Sequence, residues 1–343
     1  MERTWGHQTM DAAWIEEAIG LLRRYAEIPA PPGQEEALAA AVQEDLARFG
    51  VESRQDAAGN VLAGSGKKFA VLAHLDEICL MVTAILPTGH VLVSPMGGFH
   101  AWKFGEGRVR LLGDSEEVPG VFGLGSVHTE WETANAVRAK AHAMQWRDGA
   151  IHTGRSDSEL EAAGVHIGTR VVADDRKITD VGFLLAGRFL DDRALLAAGV
   201  LLAREARDSD AWFGFTVREE VGGQGARFAL RENPVSVAIA LEIGPNVPDA
   251  PVEISDAPTL WVSDSFSSPD AVLVARVMEI VPDVQLQPLT RGGSDASIAQ
   301  REGLVPRGLT LAIATDNTHG LETTHRWSMA RLVGATVDLL AEL

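Results

Sequence analysis

Five times along this chain an apolar run stops on a carboxylate or a histidine. Residues 69–73, FAVLA, run into His74-Leu75-Asp76-Glu77, and GFLLAGRFL runs into Asp191-Asp192. WFGFTV leads to Glu219-Glu220, VAIAL to Glu242, and LTLAIA to a segment carrying His319 and His325. Short apolar runs bounded by polar and turn residues predict buried strands. In an open α/β sheet, functional groups collect beyond the carboxyl ends of the strands. The repetition therefore constrains the chain to an α/β sheet with its polar chemistry along one edge.

The rest of the pattern agrees. Trp14, Ile15, Ala18, Ile19, Leu22 and Tyr25 recur at helical spacing, predicting a helix over 11–27 that ends before Pro29, Pro31 and Pro32. A second helix is predicted over 34–49, closed by Gly50. Further helices are predicted over 194–207, 225–231, 269–281 and 328–343, alternating with strands over 212–217, 235–241 and 309–314. From Thr88 the texture changes to short β-forming stretches separated by Gly and Pro, the signature of a small barrel or sandwich. Within that stretch, polar and Ala-rich residues 134–147 suggest a surface helix or excursion. The expected organisation is an α/β domain from 1–90 and 184–343, with a mixed sheet and helices on both faces, interrupted by a β-rich insert at 91–183.

At roughly 150 residues per domain, a chain of 343 residues is consistent with that two-domain count. A net charge of −18 opposes phosphate backbones and anionic lipid, so neither nucleic acid nor membrane is expected as a partner. The N-terminal residues lack a basic start followed by an apolar stretch, and a cytoplasmic location is expected. The single cysteine, Cys79, sits among Ile78, Leu80, Met81 and Val82, the setting of a packed small hydrophobe rather than a nucleophile.

Taken singly, each polar group has a plain explanation: a solvated strand end, a helix cap at Asp191-Asp192, a polar turn at Glu219-Glu220. Taken together they form a ligand set. His74 and Asp76 project to one face of an extended segment, where the carboxylate can support a metal-binding imidazole. An aspartate can bridge two cations through its two oxygens. Gly222 and Gly223 permit the turn that lets adjacent glutamates share one site, one as ligand and one acting on a water. Histidine with Asp and Glu suits Zn or Co, with Mn a third option, and a two-metal hydrolase is the natural expectation.

The segments AHLDEI, GRFLDDRA, VREEVGGQGA, ALEIGP and RGGSDASIA, in that order, resemble the dinuclear metallo-aminopeptidases of metallopeptidase family forty-two, which include glutamyl and tetrahedral aminopeptidases. The likeness runs from DAAGN at 56 to THGLETTH at 318, and GGFHAWKFGEGRVRL with ELEAAGVHIGTRVV resembles the family's small PDZ-like dimerisation barrel. The resemblance implies that Asp191 bridges two divalent ions, Zn or Co, with His74 and Glu242 completing one site. Glu220 and a C-terminal histidine, His319 or His325 with His319 favoured, complete the other. It further implies Glu219 as general base and Asp76 as the residue orienting His74. Short peptides are the implied substrates, and a homo-oligomer built from dimers, up to a dodecamer, the implied assembly. Hydrolysis of another amide by the same machinery, such as an N-acyl or modified dipeptide, and a catalytically silent scaffold are the competing expectations.

Overall fold

The computed structural model describes residues 4–5, 8–9, 12–126, 128 and 143–343. The chain divides into two compact units, Met1–Asp76 with Lys177–Leu343, and Glu77–Arg176.

The first unit is built on an 11-stranded mixed sheet. At its centre Ala211–Thr216, Phe69–His74, Val237–Pro245 and Arg307–Asp316 lie side by side and parallel. Their residues are almost wholly buried, because parallel strands covered on both faces must be apolar on both. Alternate residues serve the two faces. Val71, Phe215, Leu241 and Leu311 pack into the larger core with the helices Ala12–Ala26, Glu36–Arg48, Leu190–Glu205 and Ser328–Glu342. Ala70, Leu72, Trp212 and Ala240 pack on the other face with Gln224–Glu232 and Asp295–Arg301. Leu190–Glu205 is buried from Leu190 through Ala203, which is why it reads as a continuous apolar run rather than an amphipathic stripe.

The second unit contains a closed barrel of six strands, Cys79–Ile85, Val91–Met96, Gly107–Leu112, Glu117–Gly123, Ala150–His152 and Arg170–Ala173. The expected start of the insert at residue 91 is too late. Cys79–Ile85 pairs antiparallel with Val91–Met96 and with Arg170–Ala173, so its apolar residues line the barrel and not the sheet, and the unit begins at Glu77. The insert also ends before 183: Thr179–Val181 already pairs with Leu184–Gly187 in the large sheet, so the unit closes at Arg176. Most of the 134–147 segment lies outside the described residues. Cys79 is buried in the barrel wall. Glu77 and Arg176, the two ends of the unit, form a buried bidentate ion pair, with Arg176 Nη1 2.8 Å from Glu77 Oε1.

Candidate metal centre

The parallel strands deliver the polar residues to one edge. His74 is the last residue of Phe69–His74, and Glu242 lies within Val237–Pro245 on the neighbouring strand. Glu219 and Glu220 occupy the turn after Ala211–Thr216, closed by Gly222 and Gly223 amides donating to the Glu219 carbonyl at 2.8 and 3.0 Å. Both glycines have left-handed φ, +113° and +63°, which this tight reversal requires. His319 lies in the loop after Arg307–Asp316, and Asp191 and Asp192 open Leu190–Glu205 across a cis peptide with non-helical backbone angles.

The side chains converge on Asp191. Its Oδ1 lies 3.0 Å from His74 Nε2 and its Oδ2 3.2 Å from His319 Nε2, and His319 Nε2 is 3.8 Å from Glu220 Oε1. Two groups of donor atoms result, His74, Asp191, Asp192 and Glu242, and Asp191, Glu220 and His319, each with its atoms within 4.8 Å of one another. Asp191 belongs to both. His325 belongs to neither: its ring stacks obliquely on Phe183 at 5.5 Å, and its Nδ1 accepts the Trp327 amide. Asp192 lies outside the expected ligand set, yet its Oδ2 accepts the His74 amide at 2.8 Å and it faces the same cluster.

Metal ions suit this donor set on electrostatic grounds. Buried Asp192 Oδ1, Glu220 Oε1 and Asp295 Oδ1 have no hydrogen-bond partner among the described residues. Burial, followed by the charges of Asp191 and Asp192, pushes Glu242 well above the carboxylate range. Burial also raises Glu219, Glu220 to about 7 and Asp295 to about 6. Burial disfavours charge on the two histidines, but the surrounding carboxylates outweigh it, lifting His74 well above its usual value and His319 to about 10. Asp191 goes the other way: burial raises it, and its hydrogen bonds to His319 and His74 more than reverse that. Crowded carboxylates held at raised values beside imidazoles drawn to positive charge form a pocket short of cations. The mix of imidazole nitrogen and carboxylate oxygen fits Zn, Co or Mn.

Around these donors lies a layer of carboxylates bound to main chain. Asp76, fully buried, accepts the Glu219 amide on Oδ1 at 2.8 Å and the Glu220 amide on Oδ2 at 3.0 Å. Its carboxylate is 3.6 Å from His74 Nδ1, farther than its own carbonyl oxygen at 3.0 Å. Asp76 thus meets His74 chiefly through its backbone, while its side chain grips the glutamate turn. Glu322, also buried, accepts the His319 amide on Oε1 at 2.8 Å and the Asp191 amide on Oε2 at 3.2 Å. Burial, then the charge of Asp191, raises Glu322 to about 8. Among the described residues, the non-glycine positions with left-handed φ are Phe189, Arg218, Asn317 and His319. Each is, or lies within two residues of, one of the clustered side chains, which places backbone strain where donors must be aimed.

Imidazoles and carboxylates, buried or half-buried, gathered at the carboxyl edge of a mixed α/β sheet are suited to metal-assisted hydrolysis. A family model described as M42 glutamyl aminopeptidase matches residues 59–334, and the chain belongs to that family. The lysyl aminopeptidase of Pyrococcus furiosus is 29% identical over 317 residues, covering 85% of this chain and 88% of the relative. The solved dodecamer PhTET1-12s superposes with a TM-score of 0.83 at 25% identity over 96% of this chain and 99% of the other. The TET1 peptidase of Pyrococcus horikoshii, which can assemble into a tetrahedron or a large octahedral shell, superposes with a TM-score of 0.84 at 24% identity, over 95% and 100% of the two chains. Among the described residues no helix is long and apolar enough to cross a membrane.

Proposed function

We propose that this protein is an aminopeptidase that removes N-terminal residues from short peptides, using two divalent cations held by His74, Asp191, Glu220, Glu242 and His319. The observation that carries the reading is Asp191, whose two oxygens face His74 and His319, one from each donor group. A carboxylate so placed is suited to join two cations, with His74 and Glu242 on one side and Glu220 and His319 on the other. Asp192 is a further donor available to the first group.

When bound, such a cation pair polarises a peptide carbonyl and makes a water acidic at neutral pH. The protein's own part is proton handling and aim. Glu219 is the general base: half-buried, with its carboxylate held at a raised value, it is matched to taking a proton from water and returning it to the leaving amine. Asp76 fixes the Glu219 and Glu220 amides, so base and ligand are presented as one rigid turn. A homo-oligomer assembled from dimers through the barrel unit, in a cytoplasmic setting, completes the reading, supported by the oligomeric structural relatives.

The test is metal content together with hydrolysis of a panel of aminoacyl anilides and their N-acetylated counterparts, before and after chelation. About two ions per chain and chelator-sensitive release only from free-amine substrates are expected. Glu219→Gln should keep both ions and lose about 10²–10⁴-fold in kcat, the usual worth of a general base. Cleavage of blocked amides alone would overturn the substrate class, and absence of bound metal under replete conditions would overturn the reading as a whole.

A further inference from the structure

We infer that Glu322 is a positioning residue that acts mainly on one half of the centre, the half formed by Asp191, Glu220 and His319; the inference rests on the two-cation reading above. Glu322 opens the strand Glu322–His325 and lies opposite Gly187, the last residue of the antiparallel strand Leu184–Gly187. From that point the two chains part, one running through Phe189 to Asp191 and the other coming in from His319. Glu322 joins them again. One oxygen takes the His319 amide and the other the Asp191 amide, at 2.8 and 3.2 Å, with the side chain 1% exposed.

The geometry is selective. His319 has left-handed φ, +58°, a conformation that a non-glycine residue holds only when its surroundings impose it, and the Glu322 bond to its amide is such a constraint. Asp191 carries the oxygen that faces His319, so the same carboxylate fixes two of the three donors of this group. The other group shares only Asp191 with this hold, one donor of its four, and is anchored besides through His74, by its amide on Asp192 and by its Nδ1 beside the Asp76 carbonyl. Loss of the Glu322 carboxylate should therefore loosen the cation on the His319 side more than the one on the His74 side.

Glu322→Gln keeps the size of the side chain but turns one acceptor into an NH2 group facing a backbone N–H. The experiment is titration of the chelator-stripped full chain with Co2+, followed by calorimetry and by visible absorption, for wild type, Glu322→Gln and His319→Ala. In wild type two ions bind. In Glu322→Gln the ion of the Asp191, Glu220 and His319 side, taken as the second, should bind about 10–100-fold more weakly, the usual cost of losing a partner that orients a ligand, and the first ion should lose markedly less. The absorption of the second ion should change in the same variant, and His319→Ala gives the reference for a chain lacking that ion. Wild-type affinity for both ions in Glu322→Gln would overturn the inference, as would equal weakening of both, which marks a general packing role. Should the Gln variant fail to fold, Glu322→Asp, which keeps the charge but cannot span both amides, carries the same comparison. Failure of wild type to take two ions would instead overturn the two-cation reading, so the two failures are distinguishable.

Discussion

Five backbone amides belonging to clustered residues, those of His74, Asp191, Glu219, Glu220 and His319, are held by just three carboxylates, Asp192, Glu322 and Asp76. A carboxylate that grips main chain fixes where a neighbouring side chain starts, and it does so with charge-assisted bonds worth about 1.5–3 kcal/mol each. Asp76→Asn is the sharp case. The amide side chain offers one acceptor where two N–H groups wait, so stability should fall by about 1–3 kcal/mol, read from the urea midpoint. Because His74 Nδ1 lies nearest the Asp76 carbonyl, which the substitution leaves in place, kcat should fall while the ion on the His74 side keeps its affinity. Loss of that ion in Asp76→Asn would mean the carboxylate acts on the imidazole after all. The difference between legible and hidden residues follows the same division. His74, Asp191, Glu219, Glu220 and Glu242 stand out as candidates because each follows close on an apolar run, and a charge at the end of a buried strand is conspicuous, whereas His319 lies beyond the polar residues 315–318 and is singled out by the family resemblance. Asp192, Glu322 and Asp295 do not stand out, because Asp192 acts on an amide far away in sequence, Glu322 joins the nearby His319 amide to the distant Asp191 amide, and Asp295 sits in a polar helix start that reads as a cap.

At the scale of elements, the glutamate turn depends on a loop that carries no donor at all. In the DAAGN segment Asp56 accepts the amides of Ala58, Gly59 and Asn60, forming a compact turn that aims the Asn60 side chain. Asn60 then accepts the Val217 amide at 3.0 Å and donates to the Gly225 carbonyl at 3.0 Å, pinning the chain on both sides of Glu219-Glu220. Gly225 is a glycine for steric reasons: a Cβ there would fall 2.3 Å from Asn60 Oδ1 and 2.5 Å from the Val217 carbonyl. Gly225→Ala should therefore push the turn off its seat, costing about 1–3 kcal/mol and reducing activity together with the bound ion content. Unchanged urea midpoint and ion content in this variant would show that the turn is not pinned there. Elements with one dominant environment were readable from spacing, such as Ala12–Ala26 and the central strands, within a few residues at each end. The domain boundary expected at residue 91 falls beyond Cys79–Ile85 because an apolar run carries no label for which sheet it will join; only its pairing with Val91–Met96 assigns it to the barrel.

For the whole molecule the consequence is a fold with an unbalanced centre. The first unit buries Asp191, Asp192, Glu242, Asp295 and Glu322 close to two histidines, in a chain that already carries a net charge of −18. Folding gathers these carboxylates against one another, and cations that bind only the folded state would offset the repulsion. Such binding stabilises by RT ln(1 + [L]/Kd), about 2.7 kcal/mol for each site when the free ion is at 100 times its dissociation constant. Chelation should therefore lower the melting temperature, and restoring Zn2+ or Co2+ should raise it again in a concentration-dependent way. Asp191→Asn should abolish most of that dependence, since Asp191 belongs to both donor groups, whereas His325→Ala, outside both, should retain it. Scanning calorimetry of the three chains with and without chelator gives the comparison. A wild-type melting temperature indifferent to chelation, in protein shown to have held the ions, would mean that the buried carboxylates are balanced by protonation instead and that the fold does not lean on its metals.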